Sequence, residues 1–410
     1  MKADNSMTFK ERRQFLLLAR VFVAGFILFY VLFELIMAYL ISSLSSEAFD
    51  QVKTKNVALR LHLNTTARKN LIIFSHGRSG SSITGDIFNQ HPDVFYLYEP
   101  LQTVERTREQ FKSDYDILAQ KFLKSVFQCR FDEANFVKDM ELYYRRPLHP
   151  LISRAIASPP LCPYNVSDKR WDFKLCAKMT TKSLENACRQ HKLTVIKVLI
   201  HRVPYKSLQS IISACAPKQV DCKIVFLVRD PRAVVPSSLS VDFYREQGGA
   251  AKLGTRMFSY NLCEQTEANL EVLKNLPARL RNQLKLLRYE DLAGHPIAEM
   301  KRLYKFAGLS VLDSVTNWLN RSTHPSKQRE DVNIQRGYDA AYTVDDAEAA
   351  INRWRWKVTD PNDITTIEMY CKHVMQLMGY RPVHNSYELQ RNISVPLHSR
   401  DFEAEDWLQK

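Results

Sequence analysis

Several familiar signatures are missing from this chain of 410 residues. None of its eight cysteines, at 129, 162, 176, 188, 215, 222, 263 and 371, stands in a CxxC pair. A zinc knuckle and a dithiol redox motif are therefore excluded, and no metal is expected. No GxxxxGK[ST] stretch occurs, and no strand resembles one that ends in a magnesium-binding aspartate, which argues against a P-loop nucleotide hydrolase. No internal repeat is present, so a solenoid or propeller is excluded. Acidic residues are in short supply: 44 Asp and Glu against 58 Lys and Arg leave a formal charge of +14. That balance favours anionic partners such as nucleotides, sulfated polymers, nucleic acid or lipid headgroups, with a solvated basic face as the plainer alternative.

One long apolar run is present. Residues 15–41 read FLLLARVFVAGFILFYVLFELIMAYLI, and from Val21 to Ile41 the only charge is Glu34. That length spans a bilayer as a helix. The following SSLSSEAFD is a weak cleavage site, so an anchor is expected rather than a cleaved signal. Lys10, Arg12, Arg13 and Arg20 precede the span, which places the N-terminus in the cytosol and the rest across the membrane. The expected organisation is a cytoplasmic tail over 1–14, a signal anchor over 15–41, a stem over 42–69 and a luminal domain over 70–410. Glu34 is tolerable in a single anchor through a water defect or a homo-oligomer. Sequons at Asn64, Asn165, Asn320 and Asn392 all fall beyond the span. An even cysteine count in an oxidising lumen predicts disulfides, one of them within the loop-rich stretch holding Cys162, Cys176 and Cys188. Nucleic acid is a poor partner for a basic domain that faces a lumen.

From Leu71 onward short apolar runs (LIIFS, VFYLYEP, TVIKVLI, CKIVFLV, LKLLRYEDL) alternate with helical patterns, while residues 103–190 read as helix and loop. The fold class expected is α/β, a mainly parallel sheet flanked by helices. Ligands of such sheets bind beyond the carboxyl ends of the strands. There lies SHGRSGSS, residues 75–82, small residues that let backbone N–H groups approach a phosphate, ahead of a helix starting near Ser81. An ordinary turn with a helix cap is the alternative. LVRDPRAVVPSSL, residues 227–239, repeats the design. Arg229 and Arg232 leave the strand end, Asp230 suits the cap and Pro231 the first helical position. If Arg229 and Ser237 converge on one oxyanion they hold a phosphate by charge and hydrogen bond; a basic helix start paired with Asp230 is the alternative. Two metal-free anion sites suit a donor with a 5′-phosphosulfate and a 3′-phosphate.

GRSGSS with FNQHPDVFYLYEPL, then LVRDPRAVVPSSL and LRYEDLAGHP, resemble the Golgi carbohydrate 6-O-sulfotransferases over most of residues 71–380. The tail SYELQRNISVPLHSRDF is similar to the ends of the keratan sulfate galactose and chondroitin 6-O members. The resemblance implies a P-loop-like sulfotransferase fold, a type II Golgi membrane protein and 3′-phosphoadenosine 5′-phosphosulfate as co-substrate. The glycan acceptor it implies is galactose, N-acetylgalactosamine or N-acetylglucosamine. Gly77, Arg78, Ser79, Gly80, Ser81 and Ser82 would hold the 5′-phosphosulfate; Arg229 and Ser237 would hold the 3′-phosphate. RYEDL would lie near the nucleotide, and NRWRW, residues 352–356, resembles the family's C-terminal Trp-Arg element. HRVPYKS after VIKVL is longer than the family's usual turn, and residues 103–190, expected to shape the acceptor groove, match poorly.

For sulfuryl transfer, Arg78 is expected to offset charge on the leaving oxygen and Glu99, at a neighbouring strand end, to act as base, its pKa raised by burial. The alternative for Glu99 is a salt bridge to an arginine such as Arg78, and His76 is the second candidate base. Lys197, Arg202 and Lys206 flank another strand end and are candidates for holding acceptor sulfates or carboxylates, although each alone reads as surface charge. Two other functions compete. A luminal kinase or hydrolase would need magnesium and a catalytic aspartate. A non-catalytic glycan-binding membrane protein would not need the intact donor loops.

Overall fold

The computed structural model describes residues 67–111, 113–145, 150–215, 220–241, 250–323, 347–399 and 402. The predicted anchor, its flanking charges and Asn64 lie outside the described residues. Among the described residues no helix is long and apolar enough to cross a membrane.

All five expected strands are present: β1 (Arg68–Ser75), β2 (Val94–Tyr98), β3 (Leu193–Leu199), β4 (Val220–Val228) and β5 (Leu284–Arg288). β1 begins at Arg68, inside the stretch expected to be stem. The strands form one parallel sheet in the order β2-β3-β1-β4-β5. Both faces are covered, which is why the strand sequences are continuous apolar runs rather than alternating ones. Leu71, Ile72, Ile73 and Phe74 of the central strand are fully buried, each contributing about 1.5–3 kcal/mol relative to exposure. From β1 the chain crosses to β2 on one side; from β4 it continues to β5 on the other. The neighbours β1 and β4 therefore send their connections apart, creating a crevice at their carboxyl ends. Their register pairs Ser75 with Leu227, which sets the two expected anion loops side by side.

The helix after β1, Ser81–Asn89, buries Ile83, Ile87 and Phe88 against Val94, Tyr96 and Tyr304. It lies so close to β2 that a Cβ on Gly85 would stand 2.0 Å from the Tyr96 hydroxyl. The helix after β4, Pro231–Ser240, starts as its sequence predicts, with Pro231 in the first turn and the Asp230 carboxylate accepting from the Arg232 N–H at 2.9 Å. Between β2 and β3 lie helices Leu101–Thr107, Tyr115–Phe127, Ala134–Tyr144 and Thr181–Gln190 with their loops.

Every cysteine is bridged: Cys129–Cys188, Cys162–Cys176, Cys215–Cys222 and Cys263–Cys371. The bridge expected in the loop-rich stretch is Cys162–Cys176, while Cys188 pairs outside it. Asn165, Asn320 and Asn392 are exposed.

Candidate active site

The first loop leaves β1 with two residues in left-handed conformation, Arg78 (φ 64) and Gly80 (φ 87). Gly80 is doubly constrained, because a Cβ there would also lie 2.2 Å from Cδ2 of Tyr289. Gly80 occupies the cap of helix Ser81–Asn89, so no side chain caps that helix. The plain capped turn is thereby disfavoured, and the helix's positive end is left for an anion.

The second loop meets the first through Arg229. Its guanidinium lies 4.1 Å from the centre of the Tyr289 ring. Nη1 donates to the carbonyl of Arg78 at 3.0 Å and Nη2 to the carbonyl of Ala350 at 3.1 Å. Nε is buried without a hydrogen bond. Arg78 in turn donates from Nε to Oγ of Ser237 at 3.0 Å. Arg78, Arg229 and Ser237, drawn from two loops, thus form one contiguous group.

They line a cavity of about 760 Å³, within the range of small-ligand sites. Gly77, Gly80, Ser81 and Ser82 add the floor, and Tyr289 of RYEDL one wall. Arg353, Trp354 and Lys357, from and just beyond the NRWRW element, add another. Ser79 is buried and lines a separate small void with His76 and Phe226.

Glu99 ends β2 with φ 46 and lies in the cavity wall. Its carboxylate accepts from Lys197 Nζ at 2.7 Å, from Arg202 Nη1 at 2.8 Å and from Gln102 Nε2 at 2.7 Å. Burial pushes its pKa up, but the charges of Lys197 and Arg202 and these hydrogen bonds outweigh burial and hold it below the ordinary value. The expectation that burial would raise Glu99 is overturned. It is an ion-paired carboxylate, and its partners are Lys197 and Arg202, not Arg78. His76 fares worse as a base. It is buried beside the small void, its Nε2 makes no hydrogen bond, and burial, then the charge of Lys206, lower its pKa to about 3.

Lys197 and Arg202 are not surface charges. Lys197 is 2 % exposed, with Nζ 3.8 Å from the Tyr98 ring centre and 3.3 Å from Ser82 Oγ. Burial lowers its pKa against the pull of Glu99. Arg202 also pairs with Glu105 at 2.7 Å. Only Lys206 of the three is exposed. Lys197 as a buried, paired member of the cavity wall was missed, although the sequence carried the signal: one cation inside an otherwise apolar run must be paired once both faces of the strand are covered. Arg353 and Lys357 carried no such signal.

A model described as the sulfotransferase family matches residues 70–313. Carbohydrate sulfotransferase 6 from Homo sapiens is 32% identical over 359 residues, covering 81% of this chain and 85% of that protein. Carbohydrate sulfotransferase 1 from Danio rerio is 29% identical over 367 residues, covering 82% and 83%. Among solved structures, a sulfotransferase domain from the curacin biosynthetic pathway overlaps 76% of this chain and 98% of that domain, with TM-score 0.43 and 15% identity, too remote to bear on chemistry. On its own motifs, its two-loop cleft and these relatives, the chain is a sulfotransferase and belongs to the carbohydrate sulfotransferase family.

Proposed function

We propose that the chain transfers a sulfuryl group from 3′-phosphoadenosine 5′-phosphosulfate to the 6-hydroxyl of a galactose, N-acetylgalactosamine or N-acetylglucosamine residue. The glycan would be of keratan or chondroitin sulfate type, and the enzyme a type II protein of the Golgi membrane with its catalytic domain in the lumen. The names of the relatives supply the carbohydrate class. The observation that carries the donor is the bridge by which Arg78 joins the two strand-end loops into one basic cleft.

The residues fit such a donor. Among the described residues the cleft is lined by Arg78, Lys197, Arg229, Arg353 and Lys357 against a single acid, Glu99, which is already neutralised by its cations. Arg229 Nε is a buried donor in want of an acceptor. Gly77 and Gly80 to Ser82 would hold the 5′-phosphosulfate with backbone N–H groups, and Arg229 with Ser237 the 3′-phosphate. When bound, the donor supplies the sulfuryl group and a phosphate leaving group.

Arg78 and Lys197 offset the charge left on the bridging oxygen as the old S–O bond breaks with its electron pair. Lys197 is positioned for this between Glu99 and Ser82. The acceptor oxygen forms the new S–O bond and loses its proton to Glu99. A hydroxyl already bonding to sulfur is strongly acidic, so a carboxylate of low pKa suffices at that point. Glu99 therefore has two tasks, holding Lys197 and taking a proton late.

The test supplies radiosulfate-labelled donor to the purified full chain, without added metal. The acceptor panel is chondroitin, desulfated keratan sulfate and N-acetylglucosamine-ended oligosaccharides. Label at C6 of one sugar is the expected result. Tight binding of adenosine 3′,5′-bisphosphate without label on any saccharide would keep the donor site and overturn the acceptor. Loss of both would overturn the whole reading.

A further inference from the structure

β3 ends at Leu199, in the cleft wall, and the chain then makes the long turn HRVPYKS. At its tip Tyr205 (φ 55) and Lys206 (φ 51) are both left-handed, a conformation that costs stability in any residue with a Cβ and more in a bulky one. Nothing local requires it, since glycine would serve. The surrounding structure holds it nonetheless. Tyr115 Oη donates to the carbonyl of Arg202 at 2.7 Å, and Ser210 Oγ to that of Pro204 at 2.7 Å. The buried Asn269 donates to the carbonyl of Lys206 at 3.0 Å and accepts from the Leu208 N–H at 2.6 Å. Clamps from three separate helices thus fix two strained residues whose side chains face solvent, Tyr205 at 75 % exposure. Strain maintained this way belongs to sites of function.

The turn stands on the ligand edge of the sheet. Arg202, three residues before Tyr205, grips Glu99 in the cleft wall, and the charge of Lys206 reaches His76, the residue ahead of the donor loop. An exposed ring beside a cation matches a sugar face bearing a sulfate or carboxylate. We infer that Tyr205 and Lys206 form an acceptor subsite, the ring stacking on a saccharide and the ammonium pairing with its anionic substituent. The inference rests on the carbohydrate acceptor proposed above and deepens it: the polymer engaged here is already anionic.

The experiment compares full-chain wild type with Tyr205→Gly, Tyr205→Phe and Lys206→Ala, on partially sulfated keratan sulfate and its fully desulfated form. Tyr205→Gly is expected to raise acceptor KM on the order of tenfold on both forms. Its kcat, its affinity for adenosine 3′,5′-bisphosphate and its melting temperature should be kept, the last because glycine relieves the left-handed strain. Tyr205→Phe should behave as wild type. Lys206→Ala should raise KM on the sulfated form alone and flatten its salt dependence. Unchanged KM in Tyr205→Gly and Lys206→Ala, with wild type active, would overturn the subsite and leave the carbohydrate reading standing. Weakened bisphosphate binding in these variants, or an equal rise on both polymers in Lys206→Ala, would also overturn it. A wild type that labels no saccharide would take down the carbohydrate reading and the subsite together.

Discussion

Gly80 answers to two demands, a positive φ and a tyrosine ring at van der Waals range, and alanine meets neither. The Gly80→Ala variant should lose about 1–2 kcal/mol to the left-handed backbone alone. More should follow as Tyr289 is displaced, and Tyr289 carries Arg229, so bisphosphate nucleotide affinity should fall with stability. Thermal melting and calorimetric titration would measure the two losses. Glu99 is the other decisive residue. Glu99→Gln leaves Lys197 and Arg202 without their shared counter-charge, and breaking a buried pair costs about 3–5 kcal/mol. A folded pKa below the ordinary value makes the wild-type contribution complete above that value and lost as pH falls through the folded one. Wild type should therefore keep a constant margin in melting temperature over Glu99→Gln from neutrality to about pH 5. Below that it should lose stability more steeply than Glu99→Gln; parallel melting curves would refute the pairing. The sequence marked Glu99 as a candidate base but not its state. Composition names the ionisable groups, while a pKa depends on which of them face each other, and Lys197 lies 98 residues away.

Among elements, the strands were the most legible, because unbroken apolar runs between polar loops have few other uses. The two strand-end loops were legible for the same reason, each standing where such a run stops. The C-terminal segment was not. Its contacts depend on three arginines that stand in named motifs and are wholly buried, a burial that no motif announces. Arg232 chelates Asp230, pairs with Glu368 at 2.9 Å, donates to the carbonyl of Arg381 at 2.7 Å and lies over Trp354. Arg288 donates to the carbonyls of Met378 and Ser399. Arg355 donates to those of Asn392 and Val395. Glu290 completes the tie, accepting from the Asp230 N–H and from the Tyr380 hydroxyl. Replacing Arg232 with Met would leave Asp230 and Glu368 buried without their cation. A loss of about 3–5 kcal/mol in urea unfolding is expected, together with weaker nucleotide binding, since Asp230 caps the second loop's helix. A variant that unfolds normally yet binds nucleotide poorly would show the tie to be functional rather than structural.

For the molecule as a whole, the cysteine count announced disulfides, but which cysteines pair depends on the finished fold. Cys263–Cys371 closes the longest loop, with a sequence separation of 108. The chain-entropy estimate for a loop of that size is about 4–5 kcal/mol. A Cys263→Ser, Cys371→Ser double variant should melt well below wild type under oxidising conditions, as thermal unfolding would show. The bridge fastens helix Ala250–Lys274 to the end of helix Pro361–Tyr370, next to the segment the arginines hold.

That segment has a consequence for synthesis. The residues matched by the family, 70–313, include both anion loops, yet Ala350, Arg353, Trp354 and Lys357 complete the cleft, and Arg288 grips Ser399 and the ring of Phe402. A nascent chain that stops short of these residues would carry both strand-end loops and no finished cleft. The cleft would close only once residues 350–357 have joined the fold, so a stop codon ahead of them would spare both loops and still leave the cleft open.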